Sequence, residues 1–276
     1  MHLQWFPGHM TKAIRMMEEE VRLCDGIVMV LDARAPFACI NKKLFDVCKN
    51  KPIVYLLNKS DLVSCEDVKS FEKRFISENK SVVSVVGTDE KSALKIYNAI
   101  NNALIDVKNR YKSKGVNKPL RVMVAGIPNT GKSTIINLLC GNKRAKTGDK
   151  AGVTKNKQWI RVKDLELLDT PGTTPPSFEN QTLAKYLAFI GSINDDILDF
   201  IELSLELISY LEENYKGVLS TIYKIDTESK TPYEILNSIG VSRGAIKKGG
   251  EVDDERVSNL LINDLRKGKL GKISFK

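Results

Sequence analysis

A chain of 276 residues with 42% hydrophobic and 28% charged residues holds enough apolar material for one large domain or two modest ones, in the balance of a soluble globular protein. Its net charge of +9 suits a polyanionic partner. No apolar run reaches the ~18–20 residues that cross a bilayer. The start, "MHLQWFPGHM", lacks the basic-then-apolar pattern of a secretory leader, so a cytoplasmic address is expected. Cys24, Cys39, Cys48, Cys65 and Cys140 are scattered and odd in number, which argues against a zinc site or disulfide framework and for ordinary buried thiols.

Taken in chain order, helical spacing at 10–23 precedes the apolar run "GIVMVLDAR" (26–34), and "PIVYLLNK" (52–59) follows. A helical stretch at 67–77 leads to "SVVSVV" (81–86), and a long one at 92–111 leads to "RVMVAGIP" (121–128). A helix at 131–140 and a last strand, "LELLDTPG" (165–172), complete the series. The strand runs are nearly all apolar rather than alternating, as expected for parallel strands covered on both faces. Strand and helix in alternation predict a doubly wound, mostly parallel α/β sheet. Beyond about residue 178 strand signals stop, and helices are expected at 179–190, 195–215, 232–239 and 252–267. The expected division is therefore 1–177 and an all-helical 178–276, with "SRGAIKKGG" (242–250) as a basic connection.

Charge is segregated along the chain. Lys108, Arg110, Lys112, Lys114, Lys118 and Arg121 form one basic run, and a second lies between Lys143 and Lys163. Asp195, Asp196, Asp199, Glu202, Glu206, Glu212 and Glu213 form an acidic run with no base among them. Such blocks point to polar partners rather than to mixed, solvated faces.

"GIPNTGKS" matches G-x-x-x-x-G-K-[ST] through Gly126, Gly131, Lys132 and Ser133. It follows a strand and opens a helix, the context in which backbone N–H groups at a helix N-terminus cradle phosphates. The cradle is expected to comprise Asn129, Thr130, Gly131, Lys132, Ser133 and Thr134, with Lys132 on the β- and γ-phosphates and the Ser133 hydroxyl on Mg²⁺. "LDTPG" offers Asp169 to a Mg²⁺-bound water and the Gly172 N–H to the γ-phosphate. Between them, "GVTK" offers Thr154, whose hydroxyl would complete the Mg²⁺ shell only when γ-phosphate is present. The motif specifies a nucleoside triphosphate and not its base.

"LLNKSDL" supplies a base reader. Asp61 can accept from guanine N1–H and the exocyclic amine, a pairing that adenine does not offer. The Lys59 stem can lie against the ring, and Asn58 can brace neighbouring loops, with Ser60 between them and Asp61. Val86 and Gly87, closing the third strand, offer a backbone N–H to guanine O6. The base reader precedes the phosphate loop, the reverse of the usual order. A parallel sheet binds ligands beyond the carboxyl ends of its strands, whatever order the chain visits them. The reading is a circularly permuted GTPase.

Permuted order, "WFPGHM", "DARAP" (32–36), "NKSD", "GIPNTGKST", "GVT", "DTPG", "RGAIKKGG" and "GKISF" together closely resemble the bacterial ribosome biogenesis GTPase A (YlqF) family, essentially end to end. The resemblance implies a P-loop GTPase with a helical C-terminal domain that assists late assembly of the large (50S) ribosomal subunit and is stimulated by that particle. It points to His9 as the group that orders the attacking water or acts as general base, so that His9, Lys132 and Thr154 are the expected catalytic residues. Asn129 resembles the phosphate-loop residue of GTPases that use K⁺. Thr173 stands where many GTPases carry glutamine and this family an apolar residue, and Ala151 stands where proline is usual.

The resemblance implies rRNA and ribosomal proteins as partners. The basic segment beside the switch loop and Arg243, Lys247, Lys248, Arg266, Lys267, Lys269 and Lys272 suit phosphate contacts. The alternatives left open are a GTP-dependent RNA-binding scaffold and a GTPase acting on another RNA.

Overall fold

The computed structural model describes residues 8–78, 80–141, 158–170, 172 and 180–276, without the side chains of 8–14 and 158. At its centre is a six-stranded sheet of β1 (Gly26–Asp32), β2 (Ile53–Asn58), β3 (Ser81–Ser84), β4 (Leu120–Ala125), β5 (Gln158–Val162) and β6 (Leu165–Asp169). The order across the sheet is β3-β2-β1-β4-β6-β5. All neighbours are parallel except β5 and β6, which form an antiparallel edge hairpin. β1 and β4, adjacent in space, lie where the sheet's two halves meet, and connections leave them in opposite directions. That is the switch point where open α/β sheets bind ligands.

The apolar runs conceal a strict alternation. Ile27, Met29 and Leu31 of β1 join one buried cluster, with Tyr55, Leu57, Met123 and Ala125. Val28 and Val30 join the other, with Val54, Leu56, Val122 and Val124. Both faces are therefore dry, and β1 is buried over its whole length. The helices α4 (Lys91–Ala103), α5 (Ile105–Ser113) and α6 (Lys132–Cys140) cover the second face through Ile96, Ile100, Val107, Ile135 and Ile136.

The first face carries α1 (Gly8–Val21), α2 (Lys42–Cys48) and α3 (Cys65–Ser77), and its core continues without a break into the helices beyond residue 180. Those are α7 (Gln181–Phe189), α8 (Phe200–Asn214), α9 (Val218–Tyr223), α10 (Pro232–Arg243) and α11 (Asp254–Arg266). Their starts are written in the sequence. Asn180, Asp199 and Asp253 each cap a helix with a side-chain oxygen, and Thr231 with Glu234 forms a capping box ahead of Pro232. The C-terminal segment crosses between the two groups of helices. Phe275 packs among Tyr186, Phe189 and Tyr210 with ring centroids 5.0–5.2 Å apart, and the Ser274 N–H donates to the Tyr215 hydroxyl at 2.8 Å.

Several elements differ from the sequence reading. The helix expected over 92–111 breaks at Leu104, whose buried side chain fills the space over Gly26. The stretch expected as one helix from 195 begins as a 3-10 turn, Asp195–Ile197, and restarts after the Asp199 cap. The basic connection expected from 242 starts later, because α10 runs to Arg243; it then closes with an Ile246–Val252 bridge. α2, β5 and α9 had no counterpart in the reading. Of the cysteines, Cys24, Cys39 and Cys48 are buried as expected and burial pushes each thiol up to about 12, whereas Cys65 is exposed. Among the described residues no helix is long and apolar enough to cross a membrane.

Candidate functional site

The loop between β4 and α6 turns on two left-handed residues, Asn129 (φ 60°) and Gly131 (φ 97°). At Gly131 a side chain is excluded twice over: the backbone is left-handed, and a Cβ would lie 2.3 Å from the Asn58 amide nitrogen. α6 starts at Lys132 with no side-chain cap, so its first N–H groups face the loop. The Lys132 side chain is buried, and its ammonium donates to the Ile127 carbonyl of its own loop at 2.8 Å. Burial pushes its pKa down to about 8, and the nearby Asp169 carboxylate only partly opposes this. Thr130 is buried and its hydroxyl donates to the same Ile127 carbonyl at 3.1 Å.

β6 runs parallel to β4 and delivers Asp169 beside α6, where the Ser133 hydroxyl donates to Asp169 Oδ2 at 3.4 Å. The Thr170 hydroxyl donates back to the Val124 carbonyl at 2.7 Å, tying this turn to β4. Gly172 sits so close to the phosphate loop that a Cβ would come within 2.7 Å of Pro128 N and 3.0 Å of Lys132 Nζ. A hydroxyl and a carboxylate at the mouth of the loop are hard oxygen donors of the kind Mg²⁺ takes alongside substrate phosphates. The donor set fits that ion.

The segment expected from sequence to read the base follows β2. Asn58 ends the strand, buried; its Nδ2 donates to the Thr130 carbonyl at 2.8 Å and its Oδ1 accepts from the Gly87 N–H at 2.9 Å. One amide thus joins all three loops. Lys59 is left-handed (φ 61°), and its ammonium bridges the Asn129 carbonyl and Asp32 Oδ2, each at 2.8 Å. The Ser60 hydroxyl and N–H donate to the Val85 carbonyl at 3.0 and 3.2 Å. Asp61 is exposed in the 3-10 turn Ser60–Leu62. Thr134, on the first turn of α6, faces Gly87, at which a Cβ would meet its Cγ2 at 3.4 Å.

The expected N–H donor to guanine O6 meets a different arrangement. The Val86 N–H donates to the Ser92 hydroxyl at 3.1 Å and the Gly87 N–H to Asn58, so both groups brace the fold and are not turned toward a ligand. Asn129 likewise turns its Nδ2 to the Gly191 carbonyl at 2.6 Å, at the end of α7. Arg266, counted from sequence among the partner-facing cations, instead pairs with Asp195 at 2.8 Å and donates to the Ala188 and Phe189 carbonyls. It caps α7. Thr154, Ala151 and Thr173 lie outside the described residues, as does the side chain of His9, whose backbone is in the first turn of α1.

Sequence reasoning assigned no role to two buried charges, Asp32 and Arg34. The signal was present in "DARAP", a charged pair closing an otherwise apolar strand. Arg34 forks onto the carboxylate, Nε to Oδ1 at 2.9 Å and Nη2 to Oδ2 at 2.7 Å. Burial works against the Asp32 carboxylate, but Arg34 and then Lys59 outweigh it and hold the group well below the usual carboxylate range.

A helix N-terminus, a buried ammonium and an oxygen pair on one side, with a carboxylate-bearing turn braced to them on the other, have the chemistry to hold a nucleotide by both ends. Residues 121–238 match a family model described as 50S ribosome-binding GTPase. The chain is 36% identical to the ribosome biogenesis GTPase A of Bacillus licheniformis, an alignment that covers 100% of this chain and 98% of that one. It is 30% identical to the protein of the same name from Thermotoga maritima, over 99% and 94% of the two chains. GNP-bound YlqF from T. maritima superposes with a TM-score of 0.66 at 27% identity, over 96% of this chain and 97% of that one.

Proposed function

Because this chain belongs to the ribosome biogenesis GTPase A family, and is thus a GTPase of ribosome biogenesis, we propose that its GTP state governs its association with a maturing large (50S) subunit and that hydrolysis releases it. The observation that carries the proposal is the Asn58 side chain, bonded both to the Thr130 carbonyl of the phosphate loop and to the Gly87 N–H. It supports a single site built from segments that the permuted chain supplies in reverse order.

In this reading Asp61 accepts from guanine, with the Lys59 stem against the ring, while Lys132 and the N–H groups opening α6 meet the β- and γ-phosphates. Ser133 and Asp169, with Thr154, hold Mg²⁺, which when bound neutralises phosphate charge. Asn129 is the candidate K⁺ ligand. Lys132 stabilises charge that grows on the phosphate oxygens during transfer. The Gly172 N–H senses the γ-phosphate. Thr173 is too short to orient water as glutamine does, so His9 takes that task, and turnover stays slow until the particle orders the site.

Residues 1–177 then form the GTPase domain and 178–276 the part that meets rRNA and ribosomal proteins in the cytoplasm. Arg243, Lys247, Lys248, Lys267, Lys269 and Lys272 are exposed there, which supports phosphate contacts and a steep salt dependence. The test is cosedimentation with 50S particles in GTP-analogue and GDP states, alongside GTP turnover with and without them. Nucleotide-dependent pelleting and stimulated turnover are expected. Equal pelleting in both states with unstimulated turnover would favour a scaffold instead.

A further inference from the structure

We infer that Asp32 is a positioning residue for Lys59 and that, through Arg34, it couples nucleotide occupancy to the C-terminal segment running from Arg266 to Phe275. This rests on Lys59 forming part of the guanine seat, as proposed above.

Asp32 ends the central strand β1, directly opposite Asn58 in the β1–β2 register. It is fully buried, yet it is shared by two cations. Oδ1 accepts from the Arg34 N–H at 3.1 Å and from Arg34 Nε, while Oδ2 accepts from both Arg34 Nη2 and Lys59 Nζ. A buried ion pair is a poor source of net stability, since an apolar pair of similar volume serves as well or better. Arg34 alone would satisfy the carboxylate. The second cation is what needs explaining, and its other bond goes to the Asn129 carbonyl of the phosphate loop. Asp32 therefore fixes the Lys59 head between strand β1 and that loop.

The other side of the pair faces the C-terminal segment. Arg34 Nη1 donates to the Arg266 carbonyl at 3.3 Å, and the Arg34 carbonyl accepts from the Phe275 N–H at 2.6 Å. Arg266 caps α7, and the turn that ends α7 carries the Gly191 carbonyl bonded to Asn129. The bonds close a ring: Lys59, Asp32, Arg34, Arg266, the end of α7, Asn129 and back to Lys59. A base that restrains the Lys59 stem restrains the ring, including the seat of Phe275.

The test is a double-mutant cycle in the full-length chain, reading the affinity of a fluorescent GDP analogue for Asp32→Asn, Lys59→Met and the double variant. Each single change is expected to weaken binding about 10- to 100-fold, with the double variant no weaker than the worse single. Fold-losses that multiply would overturn the inference while leaving Lys59 in the guanine seat. Lys59→Met keeps the apolar stem and loses only the ammonium, so wild-type affinity in it would overturn the positioning by Asp32 and leave the stem in the guanine seat. Wild-type affinity in Lys59→Ala would instead remove Lys59 from that seat. Hydrogen exchange decides the matter even if Asp32→Asn does not fold. Saturating GDP should slow exchange of the amides at 266–275 in the wild type and not in Lys59→Met. Exchange in that segment indifferent to GDP in the wild type would overturn the coupling.

Discussion

Asn58 Nδ2 donates to the Thr130 carbonyl at 2.8 Å, a contact between residues 72 positions apart. Both groups are buried, so neither can turn to water if the other is lost. The proposed base-reading segment and the phosphate loop are thereby held in one frame before any nucleotide arrives, which reduces what ordering costs the binding step.

Asn58→Ala removes that frame. It leaves the Thr130 carbonyl and the Gly87 N–H buried without their partner, a loss of about 1–3 kcal/mol in stability for each group left unpaired. Nucleotide affinity should fall at least ~10-fold as well, since misplacement of about an ångström in a binding constellation is felt strongly. Thermal unfolding and fluorescent nucleotide titration read the two effects. A variant that melts early yet binds GDP normally would show that the bridge serves the fold alone.

Asp61→Asn exchanges a double acceptor for a group with one donor and one acceptor. Preference should move from GTP toward XTP, with discrimination against GTP of ~10⁴-fold or more, as in sites built around polar pairing. Competition between the two nucleotides measures it. Asp61 is exposed in the ligand-free protein, so little change in melting temperature accompanies the switch. Unaltered GTP selectivity would take Asp61 out of the base pocket.

Lys132 gives the pH dependence a definite sign. Burial lowers its pKa to about 8, against about 10.4 in an unfolded chain. Below pH 8 the amine is charged in both states and the cost of burying the cation is present in full. Between 8 and about 10.4 the unfolded state binds more protons, so this group's contribution to stability rises with pH. Melting of the ligand-free protein should show that rise, and Lys132→Met should abolish it. Phosphates require the charged amine, so nucleotide affinity should weaken above about pH 8, with proton uptake on binding. Calorimetry at about pH 8.5 in buffers of different ionisation enthalpy detects that proton. Binding that exchanges none would mean the phosphates do not meet this amine.

Gly172→Ala puts a methyl 2.7 Å from Pro128 N, against backbone that cannot move aside as a flexible side chain would. The turn after β6 must then withdraw from the phosphate loop. GTP turnover should drop at least ~10-fold, with GDP affinity less affected because GDP has no γ-phosphate to sense. Phosphate release and GDP titration separate the two, and an unchanged turnover number would dissociate Gly172 from catalysis.

His9→Ala tests the water-ordering role. Affinity for GTP should remain near wild type while 50S-stimulated hydrolysis falls ~10²-fold or more, within the range of a lost general base. Full stimulated turnover in the variant would assign the task to another group.

Much of this molecule is legible along the chain. Five of the six strands among the described residues, the permuted order of the loops and most helix starts follow from apolar runs, glycine turns and capping residues, which act over a few neighbours. β5 was missed because "QWIRV" is a five-residue edge strand that closes a basic stretch, and Arg161 interrupts its apolar residues. The two short helices α2 and α9 span only 7 and 6 residues, less than the length over which helical periodicity declares itself.

Local chemistry in the sequence determined the phosphate loop of a GTPase and the apolar strand runs from which a parallel sheet is built, because each loop or strand is encoded within about ten consecutive residues. Only the folded chain decided which polar groups are already spent. It turned Val86, Gly87 and Arg266 inward as braces, and it set Asp32 between Arg34 and Lys59. Those pairings join residues far apart in sequence, and a buried polar group takes whatever partner packing brings within reach. No pattern of neighbours specifies that partner.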